Sequence, residues 1–143
     1  MTASAIAPKI TVETTVAAPV REVWAAYTTP ADIKQWNAAS DDWHTVSAAV
    51  DLRVGGAFSS RMEAKNGSFG FDFAGTYTQV EEHRLIEYAF GDRLAQVRFA
   101  DAPGGVKVQV VFEPETTHPV EQQRAGWQAI LDSFRRYVEA KRA

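Results

Sequence analysis

The apolar positions follow three different rhythms along the chain. Residues 10–16, ITVETTV, alternate Ile10, Val12, Thr14 and Val16 with neighbours of the opposite parity, the signature of a half-buried strand. Pro19 then stands where a first helical residue belongs, and Val20, Val23, Trp24 and Tyr27 recur at helical spacing. Thr29 reads as the cap of a second short helix, with Pro30 at its first position and Asp32 placed to favour its free N–H groups. A helix, a sharp break and another short helix are therefore predicted.

From Thr45 to Pro114 the rhythm changes to period two, in β-branched and aromatic runs. Gly55-Gly56, Asn66-Gly67, Gly91-Asp92 and Gly104-Gly105 divide this region into about six strands. Asn66-Gly67 suits a two-residue hairpin in which both residues take positive φ. Phe69, Phe71, Phe73 and Tyr77 share one parity, although a bulge at Gly75 would rotate part of the set away. Val106, Val108, Val110 and Phe112 share another, opposite Lys107, Gln109 and Glu113, so the sheet is antiparallel and apolar on one face. Arg61, Glu63, Asp72 and Arg98 fall on the polar parity and are expected to point outward; an inward charge would mark a functional group. Thr76, Thr78, Gln96, Lys107 and Gln109 keep that face wet, which suits a monomer or a homodimer.

The third rhythm is a helix over 120–140, preceded by Pro119. Trp127, Ile130, Leu131, Phe134 and Val138 form one apolar stripe along its length of about 30 Å. Arg135, Arg136, Lys141 and Arg142 complement the dipole at its C-terminal end.

Composition removes several functions. The chain has 143 residues, 45% of them hydrophobic, enough for one domain with a sizeable core; we place it at 9–141, with 1–8 as a loose tail. A net charge of −3 without a basic stripe argues against nucleic acid. The absence of cysteine removes disulfides, thiol catalysis and cysteine-bound zinc. No apolar run approaches the roughly 20 residues needed to span a bilayer, and the opening MTASAIAP lacks a secretory pattern, so a cytoplasmic location away from membranes is expected. His44, His83 and His118 have no metal-binding spacing, and the glycine doublets lack the dinucleotide-binding arrangement, so neither metal nor cofactor is expected. Asn66-Gly67-Ser68 matches a glycosylation acceptor but reads as a turn.

One strand, two short helices, six strands and a long helix can bury their apolar faces if the sheet curls around the last helix. The segments PVREVWAAYTTPADIKQW, DLRVGGAFSSRM, GFDFAGTYTQVEEHRLIEYAF and GWQAILDSF, in that order, resemble the bacterial single-domain relatives of the Aha-type activators of the heat-shock protein 90 ATPase. These belong to the START-like, or helix-grip, superfamily, which also includes the birch-pollen allergen and polyketide cyclases. The resemblance covers about residues 9–140. It implies an α+β helix-grip fold, a curved seven-stranded antiparallel sheet around the C-terminal helix, with a cavity between them.

On that fold Trp24 is expected in the core and Trp36 near the cavity mouth. We expect a binding protein for a small hydrophobic or aromatic molecule, with a wall of Trp36, Phe58, Met62, Phe71, Phe73, Tyr77, Tyr88, Phe99, Val110, Trp127, Leu131 and Phe134. The same aromatics would also serve a filled core. Two alternatives stay open: a chaperone partner of the heat-shock protein 90 type, and a cyclase or aromatase in which Tyr77, Tyr88 or His44 moves a proton. No catalytic motif stands out in the sequence.

Overall fold

The computed structural model describes residues 9–142. The expected tail over 1–8 lies outside them. Strand β1 (Ile10–Val16) leads into helices α1 (Val20–Thr28) and α2 (Pro30–Trp36), followed by six strands: β2 (Trp43–Val50), β3 (Ala57–Ala64), β4 (Gly70–Glu81), β5 (Leu85–Phe90), β6 (Arg93–Ala102) and β7 (Gly105–Phe112). Helix α3 (Val120–Arg142) ends the chain's described part. All strand pairs are antiparallel, in the order β1-β7-β6-β5-β4-β3-β2, so the first strand closes against the last. This is the helix-grip arrangement the resemblance implies.

The period-two rhythm sets the inner face. Val106, Val108, Val110 and Phe112 are all buried, opposite Val16, Thr14, Val12 and Ile10 of β1 in register. Arg61 points outward, 3.0 Å from Glu63 and 3.6 Å from Asp72, and Arg98 is exposed. The outer face is laced with polar contacts: Gln96, and with it Thr78, donates to the Glu87 carboxylate, which holds its pKa below the ordinary carboxylate range.

Several local expectations need correction. Pro19 caps α1 instead of entering it, and Thr29 sits at the start of α2 without a side-chain capping bond. Asp32 reaches past its own helix to the Tyr137 hydroxyl and to Lys141 Nζ, 3.1 Å away, so it ties α2 to α3. Arg142 likewise bonds Glu22 of α1 at 2.6 Å, and Arg135 pairs with Glu139 at 3.5 Å; the basic end of α3 is thus engaged in specific ion pairs as well as facing the dipole. At Asn66-Gly67 only Gly67 has positive φ, because the connection from Ala64 to Gly70 is wider than a two-residue hairpin. The strand irregularity expected at Gly75 falls after Tyr77 instead, and Gly75 serves another purpose. A Cβ there would lie 2.2 Å from the Ala89 carbonyl oxygen and 2.8 Å from the Phe58 ring, so only glycine lets that ring cover the strand.

The grip is uneven. Helix α3 packs chiefly against β1, with α2 and α1 beside it. Phe112 and Trp127 stack with centroids 3.8 Å apart, seating the N-terminal half of the helix on β7. Further along α3, Phe134 packs edge-on against Tyr27 and Trp36, at 5.1 and 4.9 Å. This fills one half of the grip and leaves a gap in the other.

Candidate functional site

The break between α1 and α2 shapes the first wall of that gap. Pro30 has no N–H, so it cannot bond the carbonyl of Ala26, four residues back, which would otherwise remain orphaned. The Trp36 indole N–H takes that role, donating to the Ala26 oxygen at 2.9 Å within the buried interior. At the other end of α2, Ser133 Oγ donates to the Trp36 carbonyl at 2.8 Å, and Thr45 Oγ1 donates to the Asn37 carbonyl at 2.7 Å. One short helix is thereby pinned to α1, α3 and β2. Its Trp36 ring becomes a fixed wall, buried and not loose at a mouth.

The gap is a cavity of about 330 Å³. Ten of the twelve residues expected to line it do so: Trp36, Phe58, Met62, Phe71, Phe73, Tyr77, Tyr88, Val110, Trp127 and Leu131. Phe99 and Phe134 do not. Phe134 is 0% exposed in the aromatic layer with Tyr27 and Trp36, and Phe99 packs edge-on against Trp24 and Tyr27 at 5.1 and 5.7 Å. Parity and helical spacing name the inward face; they do not reveal where along that face packing is complete. Trp24 lies in the core as expected.

Other wall residues escaped the sequence reading: Tyr27, Ile33, Asn37, Ala49, Val50, Ser60, Ile86, Arg93 and Ile130. Ser60 shares the parity of Phe58 and Met62, which could have signalled it. Arg93 follows a Gly-Asp turn and reads from sequence as a solvated hairpin end. His44 is not in the wall; it pairs in register with Glu63 on the outer side of β3.

The wall is mainly aromatic, with a sparse polar set. Phe58 is its hub, with ring centroids 5.8, 5.2 and 4.9 Å from Phe73, Tyr77 and Tyr88. Among the described residues, no group hydrogen-bonds the Tyr27, Tyr77 or Tyr88 hydroxyls. All three tyrosines line the cavity, and none of their hydroxyls is both buried from solvent and unpartnered. Burial pushes the Tyr88 phenol well above its ordinary pKa and raises Tyr27 in the same direction. Burial, with a contribution from Asp51, pushes Tyr77 up to about 12. At neutral pH all three are protonated and available as hydrogen-bond donors.

Arg93 is the sole charged residue in the described wall. Its guanidinium lies over the Phe90 ring, 4.3 Å from the centroid, and Nη1 donates to the Glu113 carbonyl at 3.1 Å. No carboxylate among the described residues pairs with it. On the other flank, Phe71 is 39% exposed and packs outside against Trp43, whose ring also meets Phe69. The cavity therefore reaches the surface beside an aromatic cluster.

Comparison with known proteins agrees with this architecture. No curated protein matches the chain. Among solved structures, an AHSA1-like protein from Aeromonas hydrophila is 49% identical, with 93% of each chain covered and a TM-score of 0.88. A protein of Cytophaga hutchinsonii is 46% identical over 93% of each chain, with a TM-score of 0.80. A protein of Chromobacterium violaceum, 24% identical with a TM-score of 0.80 over 93% of this chain and 99% of its own, shares the fold. The model of the Activator of Hsp90 ATPase homolog 1-like protein family matches residues 17–139. With nearly its whole length spanned by that match, the chain belongs to the Activator of Hsp90 ATPase homolog 1-like family.

Proposed function

We propose that this protein binds a small, largely apolar molecule in the cavity between the sheet and α3. The observation that carries the reading is the unfilled aromatic space itself, about 330 Å³ beside an otherwise well-packed core. An apolar ligand that enters it buries its own surface and that of the surrounding rings, worth roughly 25 cal/mol for each Å² removed from water. The three phenol hydroxyls and Arg93 supply the few polar groups that fix an orientation, as ligand sites commonly do.

The same geometry favours binding over proton transfer. At neutral pH the tyrosines are protonated and offer hydrogen-bond donors, not a base, and His44 faces away from the space where a substrate would lie. A chaperone role remains an inference from the family's name.

Native mass spectrometry of freshly purified protein, followed by NMR titration with small aromatic and aliphatic compounds, tests the proposal. Expected are an extra mass that leaves on denaturation, or saturable amide shifts at Trp36, Phe58, Tyr88 and Trp127. A clean apo mass together with no shift at these residues at millimolar compound would overturn it.

A further inference from the structure

We propose that the cavity selects a monocarboxylic acid with a compact apolar body, its carboxylate held by the Arg93 guanidinium and the Tyr88 hydroxyl. This rests on the ligand-binding reading above and narrows it to a chemical class.

The cavity contains a charge imbalance. Its wall carries one cation and, among the described residues, no anion. Arg93 has a backbone carbonyl as its hydrogen-bond partner and no carboxylate within ion-pair distance. Phe90 covers one face of the guanidinium plane, and Nε and Nη2, the pair that grips a carboxylate in a planar bidentate contact, have no hydrogen-bond partner among the described residues. Tyr88 is 7% exposed, lacks a partner for its hydroxyl among the described residues, and lines the same space. Arg93 also acts on Tyr88 electrostatically, opposing part of the effect of burial on that phenol. A buried donor and a half-buried cation therefore line one volume whose described wall supplies no anion.

The complementary group is a monoanion that accepts hydrogen bonds. A carboxylate matches the fork of a single arginine. A phosphate monoester would bring more negative charge than one Arg93 balances, and no second cation in the described wall would share it. Size limits the remainder. At water's share of roughly 30 Å³ each, the space holds about ten non-hydrogen atoms, close to one aromatic ring with a short acid side chain. The wall, mostly Phe, Tyr and Trp rings, suits that body.

The test compares 3-phenylpropanoate with its neutral isostere 3-phenylpropanamide by calorimetry at neutral pH. NMR reports whether either occupies the cavity, and naphthalene serves as a neutral apolar control. The acid is expected to bind at least about tenfold more tightly than the amide, the scale of one charge-assisted hydrogen bond. In Arg93→Gln the ratio falls to near one. Arg93→Lys retains part of it, and Tyr88→Phe weakens the acid several-fold while leaving the amide less affected.

If amide and acid bind equally, or if only naphthalene enters, acid selectivity is refuted and the apolar binding reading stands. If none of the three enters and the purified protein has a clean apo mass, both fail. Should Arg93→Gln not fold, as shown by circular dichroism, the acid-to-amide ratio in the unmodified protein and in Arg93→Lys still decides the matter.

Discussion

Val108 and Val110 lie on the same face of β7, two residues apart, and both are buried, yet the structure gives them opposite prospects. Val110 borders the cavity; Val108 is 0% exposed, opposite Phe99 in the sheet, and does not reach it. Replacing either with Phe adds roughly four carbons, worth about 3 kcal/mol if all are buried in available space. After the lost rotamer freedom and imperfect fit, Val110→Phe is expected to stabilise the fold by about 1–2 kcal/mol. Val108→Phe has no void to enter and is expected to cost about 1–3 kcal/mol through overpacking. The two variants should then differ in Tm by on the order of 10 °C, at about 3 °C per kcal/mol for a chain of this size. Urea unfolding would measure the difference at constant m-value, and Val110→Phe should also weaken binding of a compound that fills the unmodified cavity. Equal destabilisation of both variants would show that the space beside Val110 cannot receive a side chain, and the cavity reading would lose its physical basis.

Trp36→Phe leaves the Ala26 carbonyl unpaired inside the protein and is expected to cost about 1–3 kcal/mol in urea unfolding; no loss would mean that another donor takes over at the Pro30 break. Gly75→Ala places a Cβ 2.2 Å from a backbone oxygen, which no rotamer change relieves, so a loss of about 2 kcal/mol or more is expected, with weakened ligand binding as Phe58 shifts. An unchanged Tm would contradict the close approach. All four tyrosines have pKa values raised above the ordinary 10.0. Tyrosinate absorbance of the native protein should therefore lag behind that of the urea-unfolded chain as pH rises. Because the folded pKa values exceed the unfolded ones, the associated stability is fully present below pH 10 and is lost as pH rises toward the folded values. Coincident titration curves would refute this.

The strand rhythm of β7 and the apolar stripe of α3 were legible because each residue's face follows directly from backbone period. Depth was not. Phe134 belongs to the same stripe as Leu131 and Trp127, yet one fills the core and the others border the cavity, because α2 closes only one half of the grip. Polar wall residues were obscured for a different reason. Ser60 interrupts an apolar parity and Arg93 follows a turn; their burial depends on partners distant in sequence. The Trp36 bond is a partial exception. Pro30 announces a carbonyl without its helical donor, while only the folded chain reveals which N–H answers it.

The closure of the sheet also sets an order of events during synthesis. Val16 pairs with Val106 and Ile10 with Phe112, so β1 must wait for a partner made about 90–100 residues later. At translation speeds of roughly 5–20 residues per second, this interval lasts about 5–20 s. As each strand from β1 to β6 is made, its inner face lacks both the seventh strand and the helix that covers it. The nascent chain is thus a high-contact-order polypeptide carrying uncovered apolar strands, open to aggregation until the grip closes.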